Sequence, residues 1–253
     1  MFSSSITFIL TDIISPWKTN VLLNSIIANN LALVREKIGR AEIDAGVAPG
    51  TVTLVGVTKN RTVLEIENAI CEGLTDIGEN RFQEAAKKLP QIRQPVTKHF
   101  VGHLQRNKVK NVLELFDLIQ SVDSERLALE IDKRAKLRAT KAKILMQVNT
   151  SGEESKFGVE PDRAEQLCEV IAGCENLELL GLMTIGLFSS DTAAVAACFR
   201  KLRKLFEKFS SFTASNCRME ILSMGMSSDY EIAIDEGANM VRVGTAIFGP
   251  RPY

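Results

Sequence analysis

The sequence predicts a single (β/α)8 TIM barrel with a leading N-terminal helix. Three observations carry that expectation. Short apolar runs alternate eight times with helix-patterned segments. The runs are apolar throughout, as strands buried on both faces should be. The length of 253 residues matches the roughly 250 typical of this fold. Repeated strand–helix steps favour a parallel sheet. A doubly wound open sheet is the alternative. It normally carries a glycine-rich turn after its first strand, and "VTKNRT" (57–62) has none.

The elements follow in order. Residues 1–24 read as an extension outside the core, and the barrel is expected over 25–253. "MFSSSITFILTDIISPW" has apolar stretches but no basic leader, and Asp12 interrupts it. No small-residue cleavage pattern follows, so it does not read as a signal peptide. "SIIANNLALVREKIGRAEIDAG" (25–46) has apolar residues at helical spacing and Gly46 at its end. The first strand is "TVTLVGVT" (51–58), and Thr62 is placed to cap the helix over 62–74. Strand two is "TDIGEN" (75–80), and its helix runs up to Pro90. Strand three is "KHFVGHL" (98–104), followed by the helix "RNKVKNVLELF" (106–116). Strand four (118–123) precedes the helix over 124–138, and "KAKILMQVNT" (141–150) is strand five. A longer loop, "SGEESKFGVEP" (151–161), then leads to the helix over 162–173. Strand six (177–186) precedes a long amphipathic segment (191–212). Strand seven (219–227) precedes "DYEIAIDEGA" (229–238), and strand eight (239–245) runs into "AIFGPRPY" (246–253).

Composition narrows the function. Lys plus Arg and Asp plus Glu both number 31. A chain without net charge has no global footprint for nucleic acid or an anionic membrane. No apolar run approaches the ~18 residues of a membrane span. The five cysteines are scattered, odd in number and without a CxxC pair. That pattern suits a reducing cytoplasm and neither a disulfide framework nor a zinc site.

Functional groups of such a barrel sit at the C-terminal ends of its strands. Lys59 follows strand one, Asn80 strand two, and His103 and Gln105 strand three. "SMGMSSD" (223–229) supplies Ser223, Gly225 and Ser227, and "VGTAIFG" (243–249) supplies Gly244 and Thr245. Either loop alone reads as an ordinary turn. Together, after strands seven and eight, they predict a phosphate site. Arg242 lies inside strand eight, where a charge needs a partner. That partner is either an acid, Glu79 or Asp229, or a bound ligand. Lys59 by itself could be no more than a solvated strand end. Combined with a phosphate cradle and an arginine, it fits pyridoxal 5′-phosphate (PLP), whose aldehyde forms a Schiff base with a lysine.

Four segments then carry a resemblance: "VGVTK" (55–59), "IGENRFQE" (77–84), "HFVGHLQRNK" (99–108) and "LSMGMSSDYEIAIDEGANMVRVGTAIFG" (222–249). From about residue 25 to its end the chain resembles the pyridoxal phosphate homeostasis proteins. Their barrel is similar to the N-terminal domain of alanine racemase. The resemblance implies a Schiff base at Lys59 and Arg242 facing the pyridine nitrogen. It also implies phosphate contacts from Ser223, Gly244 and Thr245, and Asn80 near the ring.

An arginine only donates hydrogen bonds, so a ring nitrogen facing it stays unprotonated and is a weak electron sink. Racemisation also needs acid/base groups on both faces of the cofactor. The two tyrosines, Tyr230 and Tyr253, are not obviously placed for that. The expectation is therefore a carrier that buffers PLP, a cytoplasmic monomer whose partners could include PLP-dependent apoenzymes. The alternatives are a PLP-dependent amino-acid racemase and a sugar-phosphate barrel using Lys59 as an aldolase does. His99 is expected in or behind a strand. Lys156 reads as a solvated loop lysine, with a second cofactor-holding amine as the sharper alternative.

Overall fold

The computed structural model describes residues 16–212 and 214–250, with side chains from residue 24 onward. Among these, eight strands form a closed barrel in chain order. They are β1 (Thr53–Val57), β2 (Asp76–Glu79), β3 (Thr97–Phe100), β4 (Leu118–Val122), β5 (Ala142–Gln147), β6 (Leu177–Met183), β7 (Cys217–Ser223) and β8 (Met240–Val243). Every neighbouring pair is parallel. β1 closes on β8 with Val55 opposite Arg242. The (β/α)8 expectation is met, and no open sheet forms.

Nine α-helices accompany the strands among the described residues: α1 (Pro16–Asp44), α2 (Val63–Cys71), α3 (Phe82–Lys88), α4 (Val109–Leu115), α5 (Glu125–Leu137), α6 (Ala164–Ala172), α7 (Thr192–Phe209), α8 (Tyr230–Asp235) and α9 (Thr245–Phe248). Thr62 caps α2 as its sequence position predicts. Its hydroxyl accepts from the Glu65 N–H at 3.2 Å, and the Glu65 carboxylate accepts from the Thr62 N–H at 2.7 Å. This reciprocal pair satisfies two otherwise orphaned donors.

α1 starts at Pro16, inside the stretch read as an extension; residues 1–15 lie outside the described residues. Its buried stripe is Ile27, Leu31, Val34 and Ile38, one helical face. That face packs on α2, α8 and α9, so the leading helix covers the seam where β8 meets β1. Asn30 ties it there by donating to the Ile247 carbonyl at 2.9 Å.

Strand alternation sorts the apolar residues into two sets. Val55, Leu118, Leu145, Leu180, Met183 and Met240 form one cluster, filling the barrel interior. Ile77, Phe100, Ile144, Leu179, Leu222 and Val241 join the larger cluster beneath the helices. The interior is not wholly apolar: His99, Gln120, Ser223 and Arg242 are buried as well.

The register of β6 against β7 shifts between Leu179 and Gly181. Gly181 has φ +147°, and a Cβ there would lie 1.9 Å from the Ile221 carbonyl oxygen. Gly181→Ala is expected to destabilise the protein by about 2–5 kcal/mol, from backbone strain plus overpacking. The loss reads as a lower urea midpoint. By contrast, a Cβ at Gly39, inside α1, meets nothing within 4 Å. Gly39→Ala is expected to raise stability by about 0.5–1 kcal/mol in the same titration.

Candidate functional site

Lys59 stands two residues beyond β1, and the backbone beneath it is held on several sides. The Thr58 N–H donates to the Gly78 carbonyl at 2.9 Å, and the Thr58 hydroxyl donates to Glu79. The Thr58 carbonyl accepts from Lys88 Nζ at 2.6 Å. Lys88 also pairs with Glu79 at 2.7 Å and Glu84 at 2.6 Å. Burial pushes the Glu79 carboxyl up, against the opposing pull of Lys88 and Thr58. Immediately after Lys59 the chain turns through Asn60 in the left-handed region, φ +59°, which asparagine tolerates better than most side chains. The amine thus sits on a fixed corner.

A cavity of about 420 Å³ opens at this corner, within the usual range for small-molecule sites. Its walls include Lys59, Phe188, Ser227, Arg242, Gly244 and Thr245. Two backbone donors converge on the Ser227 hydroxyl oxygen: the Gly244 N–H at 3.2 Å and the Ala246 N–H at 3.4 Å. Both bonds are long for N–H···O contacts. Phe188, 86 % exposed, forms the lip.

Arg242 reaches the cavity wall from β8 while remaining 4 % exposed. Its Nη1 donates to Ser223 Oγ at 2.6 Å and its Nη2 to the Thr184 carbonyl at 2.7 Å. Burial lowers its pKa to about 10, partly offset by the charge of Asp229. It stays cationic at neutral pH. Asp229 is pushed up by burial, opposed by its hydrogen bond from the Met226 N–H and by Arg242. Of the two acids considered as partners for Arg242, Asp229 supplies charge, whereas Glu79 is engaged by Lys88.

Lys59, Arg242, Gly244 and Thr245 therefore line one cavity. Ser223 and Asn80 do not line this cavity. Ser223 faces the barrel interior, fully buried between Gln120 and Arg242. It shares strand parity with Ile221, which packs on the interior cluster, so its hydroxyl points inward and not to the cavity wall of Ser227, Gly244 and Thr245. Asn80 lines a separate cavity of about 150 Å³ with His103 and Gln105, and its buried Oδ1 has no partner. His103 stacks on Phe157 with centroids 3.9 Å apart. His99 is buried in the interior. Lys156 is held by Glu153 at 2.6 Å and by the Gly186 carbonyl at 2.8 Å. Tyr230 is buried in the outer core, and Tyr253 lies outside the described residues.

Residues 27–252 match the family "Alanine racemase, N-terminal domain". A pyridoxal phosphate homeostasis protein of Pseudomonas aeruginosa is 39% identical over 230 residues, covering 90% of this chain and 97% of the relative. The chain belongs to the pyridoxal phosphate homeostasis protein family. A solved structure of a relative, PipY of Synechococcus elongatus with PLP bound, is 33% identical with a TM-score of 0.77, covering 88% of this chain and all of that one. An alanine racemase of Clostridium difficile is 18% identical with a TM-score of 0.70, covering 89% of this chain and 57% of that one, and shares the fold.

Family membership spans every residue of the cavity wall. Ser227 stands in "SMGMSSD", but nothing local distinguishes it from Ser223 as the serine on the cavity wall. Phe188 and the Thr58–Glu79–Lys88 cluster carry no sequence signal of their own. Among the described residues no group of His, Cys, Asp and Glu could hold a metal ion, and no helix is long and apolar enough to cross a membrane.

The interior also sets a pH response. Burial raises Asp76, but hydrogen bonds from His99 and Thr75 outweigh it and hold the carboxyl below its ordinary 3.8. A depressed folded-state pKa contributes stability above the unfolded value and loses it as pH falls through the folded one. Asp76→Asn is therefore expected to flatten the loss of urea stability below pH 3.8 relative to the parent. Parallel pH profiles for the two proteins would discount that pairing.

Proposed function

We propose that the protein binds pyridoxal 5′-phosphate through Lys59 and takes part in holding the intracellular supply of that cofactor. The observation that carries this reading is one cavity walled by Lys59, Arg242 and the Ser227–Gly244–Thr245 turns. The name shared by its relatives and the PLP bound to the Synechococcus protein support it.

Bound PLP supplies an electrophilic aldehyde joined to a conjugated ring and a phosphate. Lys59 Nζ would hold the aldehyde carbon by condensation, with loss of one water. The Gly244 and Ala246 N–H groups, now spending long bonds on the Ser227 hydroxyl, would hold phosphate oxygens, which are stronger acceptors. The Thr245 hydroxyl lies on the same wall. Arg242 has five N–H donors, and the Ser223 and Thr184 bonds leave others for the ring nitrogen. Asn80, which follows β2 as Lys59 follows β1, would flank the ring with its unpartnered amide oxygen. Ser223 acts behind Arg242 rather than on phosphate.

Holding is favoured over turnover. The ionisable side chains on the described cavity wall are Lys59 and Arg242, and an arginine does not give up its proton. Racemisation needs an acid/base group on each face. Likeness to alanine racemase at 18% identity speaks for the fold alone. The free cysteines suit a cytoplasmic location, where PLP-dependent apoenzymes would receive the cofactor. We read the protein as a monomer.

Borohydride treatment of PLP-loaded protein is expected to fix the cofactor on the peptide containing Lys59. Lys59→Ala should abolish the fixed label, and Lys156→Ala should leave its stoichiometry unchanged. A label on another lysine with Lys59 unmodified would sink the assignment. Exchange of amino-acid α-hydrogen into deuterated water at enzymatic rates would replace the holder by a racemase.

A further inference from the structure

A continuous chain of polar side chains crosses the barrel interior from the cavity to the opposite end. Arg242 Nη1 donates to Ser223 Oγ at 2.6 Å, and Ser223 Oγ donates to Gln120 Oε1 at 2.7 Å. Gln120 Nε2 lies 2.9 Å from His99 Nδ1, and His99 Nε2 lies 2.9 Å from Asp76 Oδ1. His99, Gln120, Ser223 and Arg242 are all at most 4 % exposed. Asp76 lines a cavity of about 500 Å³ at the N-terminal ends of β1 and β2.

The donor inventory of these side chains gives the chain a direction. Arginine can only donate, so Ser223 Oγ must accept from it. The amide of Gln120 sets its oxygen against Ser223 Oγ and its NH2 against His99. The single proton of the serine therefore goes to Gln120. The same NH2 lies 3.2 Å from Met240 Sδ, a weak acceptor, which agrees with that orientation. His99 Nδ1 must then accept, leaving its proton on Nε2, where Asp76 receives it. The cation at one end of the barrel dictates the histidine tautomer at the other.

We propose that Ser223, Gln120 and His99 are positioning residues for Arg242, a one-way hydrogen-bond relay that aims the guanidinium into the cofactor cavity. The inference rests on the reading that Arg242 meets the cofactor ring. A guanidinium with two donors committed to fixed acceptors, Ser223 and the Thr184 carbonyl, has few remaining orientations. Breaking the relay at Gln120 frees Ser223 to turn its proton elsewhere and loosens the first of those anchors.

The chain has two histidines, so 15N NMR of the ring nitrogens, with His103→Gln for assignment, reads His99 directly. The expected result is a neutral ring protonated on Nε2 with an unprotonated Nδ1. A neutral ring protonated on Nδ1 would overturn the relay's direction, whether or not PLP binds. The second arm uses PLP-loaded protein. Gln120→Leu is expected to shift the absorption band of the bound cofactor and weaken its affinity roughly tenfold, the scale of a lost buried hydrogen bond. Gln120→Glu can accept from both Ser223 and a doubly protonated His99. It should restore the parental band while the NMR shows protons on both His99 nitrogens. A folded Gln120→Leu protein with unchanged band and affinity would overturn the positioning role. If borohydride finds no PLP on Lys59, the function is wrong while the tautomer result stands by itself.

Discussion

The mouth of the barrel is organised by one obligate cation. Arg242 is almost wholly buried, and a buried guanidinium cannot shed its charge to escape the cost of burial. Each of its compensations comes from a different part of the chain. Ser223 ends β7, Thr184 follows β6, and Asp229 stands before α8. Asp229, whose carboxylate accepts from the Met226 N–H, gains further compensation for its burial from that positive charge. Removing one member of such a set costs more than the pair contributes, because the other is left stranded in low dielectric.

Closure of the sheet brings this cation to the lysine. β1 and β8 are far apart in sequence and adjacent in the barrel, with Val55 beside Arg242 and Gly56 beside Val243. Continuing that register beyond the strands places the Lys59 corner next to the Gly244 turn. The corner is rigid because Thr58 is tied by backbone, hydroxyl and carbonyl to β2 and α3. A site held by strand ends and a buried ionic cluster loses little entropy when a ligand arrives. Lys88 is therefore as much a part of the site as the residues on its wall, although it lines none of it.

Much of this was legible in the sequence. Eight apolar runs at regular spacing, each followed by a helical segment, favour a parallel sheet buried on both faces, and strand ends then mark the site. Lys59, Gly244 and Thr245 were legible for that reason. Ser223 was legible by parity, since it shares a face with Ile221, but the motif around it reads as a loop, where parity lapses. Ser227 lies within that loop, and its contact with the Gly244 turn depends on how two loops fold over each other. Asn80 follows a strand as Lys59 does, yet a side chain beyond the last ladder bond has no fixed direction. Glu79 looked like a partner for Arg242 because nothing local reveals that Lys88 would reach across from α3 to claim it. The start of α1 at Pro16 agrees with proline's preference for a first helical turn, a signal that apolar periodicity beginning at residue 25 obscured.

The interior layers bear on why the polar chain exists. On β4 the inward face steps from Leu118 to Gln120, on β7 from Ile221 to Ser223, and on β8 from Met240 to Arg242. Three strands thus change from apolar to polar over a two-residue step, and the register sets Arg242 beside Val55 and Ser223 beside Met183 and Met240 of the hydrophobic cluster. Leucine or methionine would fill those positions without needing partners, and a buried polar network stabilises a core only when every member is satisfied. Folding alone gives no reason for the change. A requirement to hold a cation at the cavity does: Arg242 needs an acceptor, Ser223 then needs one for its proton, and Gln120 needs one for its amide. Each requirement recruits the next residue until Asp76, near solvent, ends the series.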